Sequence, residues 1–354
     1  MSIWRASLLV NFALLGCVSS SPRPAAAPPP NYGPYPPNYG PAPTGYSNAS
    51  GQYPVQTQPP IGTTNPQQPL PTAAPGVGQP NLDPPPFYGF DPISSGTLQF
   101  LNNRSTQVVG ELIANLDAAT QGRVRNIPIV YDPNNSEVNA YASCTQSGKA
   151  AVTVTNGLEL VAAHLAEAQA VDELYGSRRV DDYIQLVAQN QKQGQMVVSP
   201  PPGFYSSAQL ADQRKQSREQ QVFDEEIGFV LGHELAHHYL NHLPCTSILP
   251  LDAAEIGQVV TSAVPMFNQP YESAADVGGI NNVLRTGAQR AGYHFTEGGA
   301  LLTMRFFAGL DQASPVDIFT FERTHPPPSV REPVIRTAAQ VFRSTSNFHW
   351  PWGG

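Results

Sequence analysis

The sequence predicts an α+β fold: a mainly helical domain with one small mixed β-sheet, preceded by a long proline-rich tail. Of the 37 prolines, 21 lie in residues 21–90, so the tail and the body differ sharply in composition. Three short strand-like runs fall between residues 127 and 155 and are separated by turn sequences. Apolar residues recur with helical spacing through most of the remaining body, and one small sheet among helices is typical of α+β domains.

The first residues resemble a bacterial lipoprotein signal peptide. Residues 1–16 carry one early cation, Arg5, and then an apolar run of about ten residues, too short to cross ~30 Å of hydrocarbon as a helix. The run ends in Leu-Leu-Gly before Cys17, similar to the lipobox whose cysteine becomes lipidated. An ordinary secretory signal with a chance cysteine is the alternative. With Cys17 lipidated, we expect an anchor in the outer membrane facing the periplasm, because Val18 stands where a retention aspartate would be.

Residues 17–90 are expected to form a disordered tether. They are rich in Pro, Tyr, Asn, Gln and Gly and contain almost no aliphatic side chains. Such a chain cannot bury enough apolar surface to offset the entropy lost on ordering. We therefore expect a spacer with polyproline II character between the anchor and a folded domain at 91–354, although its tyrosines could also contact glycan or protein.

The charge of the folded domain excludes one class of partner. The formal net charge of the chain is −8, and residues 91–354 carry 17 basic and 26 acidic side chains, a net charge of −9. A body this acidic has no positive surface for phosphate backbones, so we expect no nucleic-acid partner.

Apart from Cys17 the chain has two cysteines, Cys144 and Cys245. In an oxidising compartment this pair favours a disulfide, with two buried free thiols as the alternative.

The elements of the first half of the body follow in order. A stripe of apolar residues predicts a helix over 104–120, and Gly122 follows as a stop signal. Alternating and β-branched runs, bounded by Asp-Pro-Asn-Asn and Ser-Gly turns, predict three strands. These strands are residues 127–131, 138–142 and 151–155.

The second half of the body is predicted to be mostly helical. One helix is expected from Gly157 to about Tyr175. Residues 176–220 are polar and helical, with a break at the Ser-Pro-Pro-Pro-Gly sequence of residues 199–203. Helical spacing then continues from residue 221 to about residue 342.

The helix that contains residues 223–237 carries the most informative motif, H-E-x-x-H. Side chains at i and i+4 lie one above the other on a helix, so His233 and His237 can bind one Zn²⁺ at ~2.0–2.1 Å. Glu234 lies between them and is suited to act as the general base on a metal-bound water rather than as a ligand. Composition alone produces this motif in roughly one chain in a hundred of this length, so it needs support from other residues.

A catalytic zinc site needs a third protein ligand and an open position. The candidate for this ligand is Glu272, on a predicted helix that shows Asp276 on the same face one turn later. A carboxylate at Asp276 can accept the free ring N–H of a ligand histidine and fix its orientation. The alternative is an ordinary acidic helix start. It is less favoured because small residues separate the two acids and allow their helix to approach the helix that carries His233 and His237, here called the zinc helix.

These motifs and their order resemble the HtpX and CAAX prenyl protease family of zinc metalloproteases (gluzincins), which includes soluble lipoproteins of the bacterial envelope. The resemblance covers about residues 104–340 apart from an insertion. It depends on four signals in the family's order. They are the Val138-Asn139-Ala140-Tyr141 strand, the H-E-x-x-H helix, the E-x-x-A-D segment at 272–276 and the His325-Pro326 pair with Arg331 six residues after His325.

The resemblance implies a zincin-like metalloprotease domain with one Zn²⁺ per chain. His233, His237 and Glu272 would be the metal ligands, and Glu234 would be the general base. Integral membrane members of the family carry spanning segments around this core, whereas this chain shows no other apolar run of spanning length. Prenylated or membrane-embedded substrates are therefore not expected.

The resemblance also implies roles around the metal. His325 would donate to the developing oxyanion, Asn139 would hydrogen-bond the substrate backbone, and Arg331 would brace the site together with Asp276. The strand at 151–155 would be the sheet edge to which an extended peptide adds as one more strand.

Three features lie outside this catalytic arrangement. Residues 164–220 exceed the link expected before the zinc helix, and form a polar helical insertion that is either a lid or, as we favour, a surface elaboration. His238 and His242 are also four residues apart, but His238 is rotated by ~100° from His237, so solvent-facing or capping roles are expected for this pair. His164 is expected to be structural.

The function predicted from the sequence is a zinc endopeptidase of the bacterial envelope. Its expected partners are unfolded or unassembled envelope proteins as substrates and the membrane through the lipid anchor, and the resemblance implies a role in protein quality control. Two alternatives belong to other classes. One is a non-proteolytic chaperone or assembly factor, and the other is a cell-wall-binding lipoprotein that works through its Pro/Tyr-rich tail.

Overall fold

The computed structural model describes residues 95–261, 269–313, 319 and 324–346. The predicted signal peptide at 1–16, the lipidation site Cys17 and the tether at 17–90 lie outside these residues. Within them no helix is both long enough and apolar enough to cross a membrane.

Helices make up most of the described part of the chain, and three strands form one sheet. The strands are β1 (Ile129–Asp132), β2 (Ala140–Cys144) and β3 (Ala150–Thr155). The helices are α1 (Ser95–Ala114), α2 (Ala118–Val124), α3 (Asn156–Tyr175), α4 (Arg179–Asn190), α5 (Ser207–Ala211), α6 (Gln213–Tyr239), α7 (Ala253–Thr261), α8 (Gln269–Gln289), α9 (Gly298–Ala313) and α10 (Pro328–Thr345). A mainly helical α+β domain with one small mixed sheet is therefore confirmed.

The strand order of the sheet is β1-β3-β2, with β1 parallel and β2 antiparallel to β3. All six residues of β3 are buried, and both sides of this strand are occupied by neighbouring strands. The expectation that 151–155 forms an edge for substrate was therefore wrong. The reason is that residues 145–149 fold β2 back onto β3, so that β2 and not β3 lies at the edge.

The single helix expected over 104–120 is two helices. Helix α1 ends at Ala114 and α2 begins at Ala118, with a turn of residues 115–117 between them. Asp117 caps α2, since its side chain accepts two backbone N–H groups from the first turn of this helix. The apolar stripe alone predicts one continuous helix, but this cap starts a second helix. Gly122 lies inside α2 and is not a stop signal.

The predicted insertion at 164–220 contains parts of the core. Helix α3 runs unbroken to Tyr175, as expected, and its residues 164–168 are buried. The segment that joins α3 to α6 begins at Gly176, which ends α3 with φ +66°. Helix α4 lies in this segment and buries four side chains in the core. They are Val180, Tyr183, Ile184 and Val187.

The proline-rich turn within this segment does not cover the zinc motif. The guanidinium of Arg179 lies 5.1 Å from the ring centre of Phe204, and Lys215 Nζ lies 5.7 Å from that of Tyr205. Lys215 precedes His233 by 18 residues on α6, which corresponds to about 27 Å at ~1.5 Å per residue. The aromatic pair thus packs at the opposite end of α6.

Helix α6 is the central element of the fold. Every residue from Val222 to His238 is buried. It packs against α1, α3, α8, α9 and two strands of the sheet. Its contact with α8 is especially close, because Gly232 faces Gly279, and a Cβ on Gly279 would lie 2.9 Å from the backbone nitrogen of His233.

Candidate metal centre

Two helices bring three potential ligands together. His233 and His237 come from α6, and Glu272 comes from the first turn of α8. The Nε2 atoms of the two histidines are 3.1 Å apart. Glu272 Oε2 lies 3.3 Å from His233 Nε2, and Glu272 Oε1 lies 3.4 Å from His237 Nε2. The structure thus brings together the three ligands expected from the motifs.

The spacing of these atoms fits a zinc ion. Ligand atoms ~2.0–2.1 Å from a tetrahedral ion are separated from one another by about 3.3 Å. The three distances of 3.1, 3.3 and 3.4 Å agree with this value. Glu272 Oε2 is also buried without a hydrogen-bond donor among the described residues, and a cation would satisfy it. The residues therefore fit the metal that the motif predicts.

A different grouping of side chains is also close enough to hold a metal. The ligand atoms of His233, Glu272 and His325 lie within 4.8 Å of one another. His325 Nε2 is 3.9 Å from Glu272 Oε2, farther than the corresponding distance for His237. The shorter distance favours His237 over His325 as the partner of His233 and Glu272, and His325 lies beside this candidate metal position.

Asp276 and Arg331 orient His233. Asp276 Oδ1 lies 2.9 Å from His233 Nδ1, which can donate its proton and leave Nε2 free for a metal. Arg331 donates to the same carboxylate at 2.6 Å. Burial raises the pKa of Asp276, but the charge of Arg331 and the contact with His233 outweigh it and hold that pKa below its ordinary range. Asp276 is therefore an ionised acceptor.

Glu234 is positioned by the edge of the sheet. Its Oε2 accepts the backbone N–H of Ala142 at 2.7 Å. Its Oε1 lies 3.7 Å from His325 Nε2. Burial raises the pKa of Glu234 from its ordinary value to about 7. The side chain thus lies beside the metal ligands with one oxygen held and the other directed to His325.

His325 faces the same site from the segment before α10. The side chain is buried, and Thr324 Oγ1 lies 2.9 Å from its Nδ1. Burial lowers the pKa of His325 well below its ordinary value, which favours a neutral ring. A Thr324 hydroxyl that donates to Nδ1 leaves the ring proton on Nε2, the nitrogen nearest Glu234.

The outer edge of β2 runs along this site. The Asn139 carbonyl accepts a backbone N–H at the end of β3 and so faces that strand, whereas the Ala142 N–H faces Glu234. Because backbone groups alternate along an antiparallel strand, those of Ala140 and Cys144 face the same way as those of Ala142. The Asn139 side chain is buried, and its Oδ1 has no hydrogen-bond partner among the described residues.

The structure joins Cys144 and Cys245 in a disulfide, with a Cα–Cα distance of 5.3 Å. The bond connects the end of β2 to the segment that follows α6. Of the two possibilities that the sequence leaves open, the disulfide is the one present. It ties the strand that contacts Glu234 to the chain just beyond the histidine ligands.

Of the second histidine pair, His238 does not have the role expected for it. His238 is buried, and its Nε2 lies 2.9 Å from the backbone carbonyl of Ala151, so it joins the helix to β3 instead of facing solvent. The expectation for His238 failed because the sheet packs against that face of the helix. His242 lies beyond the end of α6, and its Nδ1 is 3.0 Å from His237 Nδ1.

Two contributions to the site were not foreseen from the sequence. The Ala142 N–H is a backbone group, so no side-chain pattern signals its contact with Glu234. The approach of His242 to His237 requires the chain to turn back after α6. An asparagine at 241, a residue tolerated at helix C-termini, is the one signal for such a turn.

Comparison with known proteins gives one family match, and it covers the whole candidate site. The model of the peptidase family M48 matches residues 101–339, a range that includes all the residues of the site described above. A search of curated proteins and a search of solved structures found no match.

Proposed function

The chain belongs to peptidase family M48, a family of metalloproteases, and we propose that it is a zinc-dependent endopeptidase acting on extended segments of unfolded proteins. The observation that carries this proposal is the convergence of His233, His237 and Glu272 at mutual distances of 3.1 to 3.4 Å. Glu234 lies beside them as a candidate base, so the arrangement offers both a candidate metal site and a candidate proton acceptor.

The residues around the metal position have separate chemical roles. When bound, a zinc ion supplies positive charge that polarises a peptide carbonyl and lowers the pKa of water. Glu234 Oε2 is engaged by the Ala142 N–H, which leaves Oε1 to take a proton from the attacking water and return it to the departing amine. The Nε2–H of His325 would donate to the developing oxyanion.

The substrate would bind along β2. This strand is the sheet edge beside Glu234, and the backbone groups of Ala140 and Cys144 face away from β3. An extended peptide can add there as one more strand, and the Asn139 Oδ1, which has no partner among the described residues, would accept a hydrogen bond from its backbone. Recognition of this kind reads main-chain groups, so it predicts a loose sequence preference that suits unfolded substrates.

The proposed setting is the bacterial envelope. The lipobox-like sequence before Cys17 supports a lipid anchor, with the outer membrane facing the periplasm as the proposed site. The disulfide between Cys144 and Cys245 fits an oxidising compartment. Unfolded or unassembled envelope proteins are the substrates proposed for this setting, with protein quality control as the role.

The proposal is tested with the full-length chain, reduced casein as the unfolded substrate and Glu234→Gln as the matched variant. We expect zinc-dependent cleavage at internal peptide bonds by the wild-type chain and a loss of at least about 100-fold in the variant. Mass spectrometry of the fragments separates internal cleavage from removal of terminal residues. Suppression of casein aggregation by both proteins without cleavage would overturn the proposal in favour of a chaperone.

A further inference from the structure

Helix α6 ends in a turn that directs the chain back over the metal ligands. Asn241 adopts a left-handed backbone conformation with φ +58°. Its N–H donates to the His238 carbonyl at 3.1 Å, and the His242 N–H donates to the His237 carbonyl at 2.9 Å. This is the hydrogen-bond pattern of a Schellman motif. The turn therefore ties the backbone of His242 to that of a metal ligand.

The side chains of the same two residues also meet. His242 Nδ1 lies 3.0 Å from His237 Nδ1, with the ring planes at 71°. The other ring nitrogen of His237, Nε2, faces His233 and Glu272. A neutral His237 that uses Nε2 for a metal carries its proton on Nδ1, and His242 Nδ1 is the acceptor within reach.

A second contact holds the ring of His242 in place. It stacks on Tyr271 with the ring centres 4.3 Å apart and the planes at 5°. Tyr271 directly precedes Glu272 on α8. His242 thus touches a residue of each helix that supplies metal ligands.

We propose that His242 is a positioning residue that fixes the tautomer and ring plane of His237 and thereby strengthens metal binding. Its role toward His237 parallels that of Asp276 toward His233. The inference depends on the metal site of the proposed function. It adds a residue to that site that the H-E-x-x-H motif does not contain.

Two substitutions separate the hydrogen bond from the ring stack. His242→Phe keeps an aromatic ring against Tyr271 but removes the acceptor, whereas His242→Asn keeps an acceptor near the position of Nδ1 and removes the ring. Zinc affinity of the full-length proteins is measured by competition with a chelator. The melting temperature of the metal-free proteins reports on structural damage.

We expect zinc affinity to fall by about 10–100-fold in His242→Phe and to be largely retained in His242→Asn. The metal-free proteins should melt alike. Equal zinc affinity in wild type and His242→Phe would overturn the inference alone, as would an equal loss of affinity in both variants. Failure of the wild-type chain to bind zinc would overturn the proposed function and this inference together.

Discussion

The two proposed histidine ligands have different kinds of neighbour. His233 meets the charged pair of Asp276 and Arg331, whereas His237 meets the imidazole of His242. The role of Asp276 could be anticipated because it follows the third ligand by four residues on a helix. The role of His242 could not, since it depends on a turn after α6 that reverses the chain.

A buried carboxyl outside the proposed set of metal ligands predicts a pH-dependent stability. Glu159 on α3 is fully buried, and burial raises its pKa from its ordinary value of 4.5 to about 8, against a smaller opposing effect of Ser105. Between these values the folded state keeps a proton that the unfolded state releases. The free energy of unfolding should therefore fall as pH rises through this window, by up to ~1.4 kcal/mol per pH unit.

The variant Glu159→Gln should remove this dependence, because an amide does not ionise. Urea unfolding of both metal-free proteins at pH 5 and pH 8 measures the effect. We expect the difference in the free energy of unfolding, variant minus wild type, to be larger at pH 8 than at pH 5. A constant difference between the proteins would contradict the assignment of a neutral, buried Glu159.

At the scale of elements, the packing of α8 on α6 decides whether the ligands meet. The contact depends on glycine, since a Cβ on Gly279 would lie 2.9 Å from His233 N and 3.1 Å from its Cα. A side chain at this position must separate the helices, and Glu272 would then move away from the histidines. Close helix packing thereby brings two separate sequence motifs together in one candidate metal site.

The variant Gly279→Ala tests this contact. We expect it to lower the free energy of unfolding by about 1–3 kcal/mol through overpacking and to weaken zinc binding. Thermal melting and chelator competition provide the two measurements. Gly110→Ala is the matched control, because Gly110 lies in α1 with no atom within 4 Å of a built Cβ. Unchanged stability and zinc affinity in Gly279→Ala would refute the close-packing account.

At the scale of the whole molecule, the disulfide links distant parts of the chain around the site. Cys144 and Cys245 are separated by 101 residues, a stretch that contains all of α3 to α6. A bond that closes a long loop restricts the unfolded chain strongly. It also keeps β2, which contacts Glu234 through Ala142, close to the segment that carries His242.

Replacement of both cysteines by serine should lower the free energy of unfolding by about 2–5 kcal/mol. Thermal melting with and without a reductant measures this effect. The wild-type protein in reductant should melt like the double variant, and the double variant should not respond to reductant. A reductant effect of equal size in both proteins would show that the stabilisation does not come from this bond.

Local features of this protein could be predicted from its sequence because they depend on neighbouring residues. The spacing of His233 and His237 is set by helix geometry, and the three strands follow from β-branched runs between turns. The order of strands, the backbone contact of Ala142 with Glu234 and the approach of His242 to His237 were decided only in the tertiary structure. Each of these three features depends on how distant segments pack together or on where the chain reverses. The spacing of residues along the sequence does not specify either.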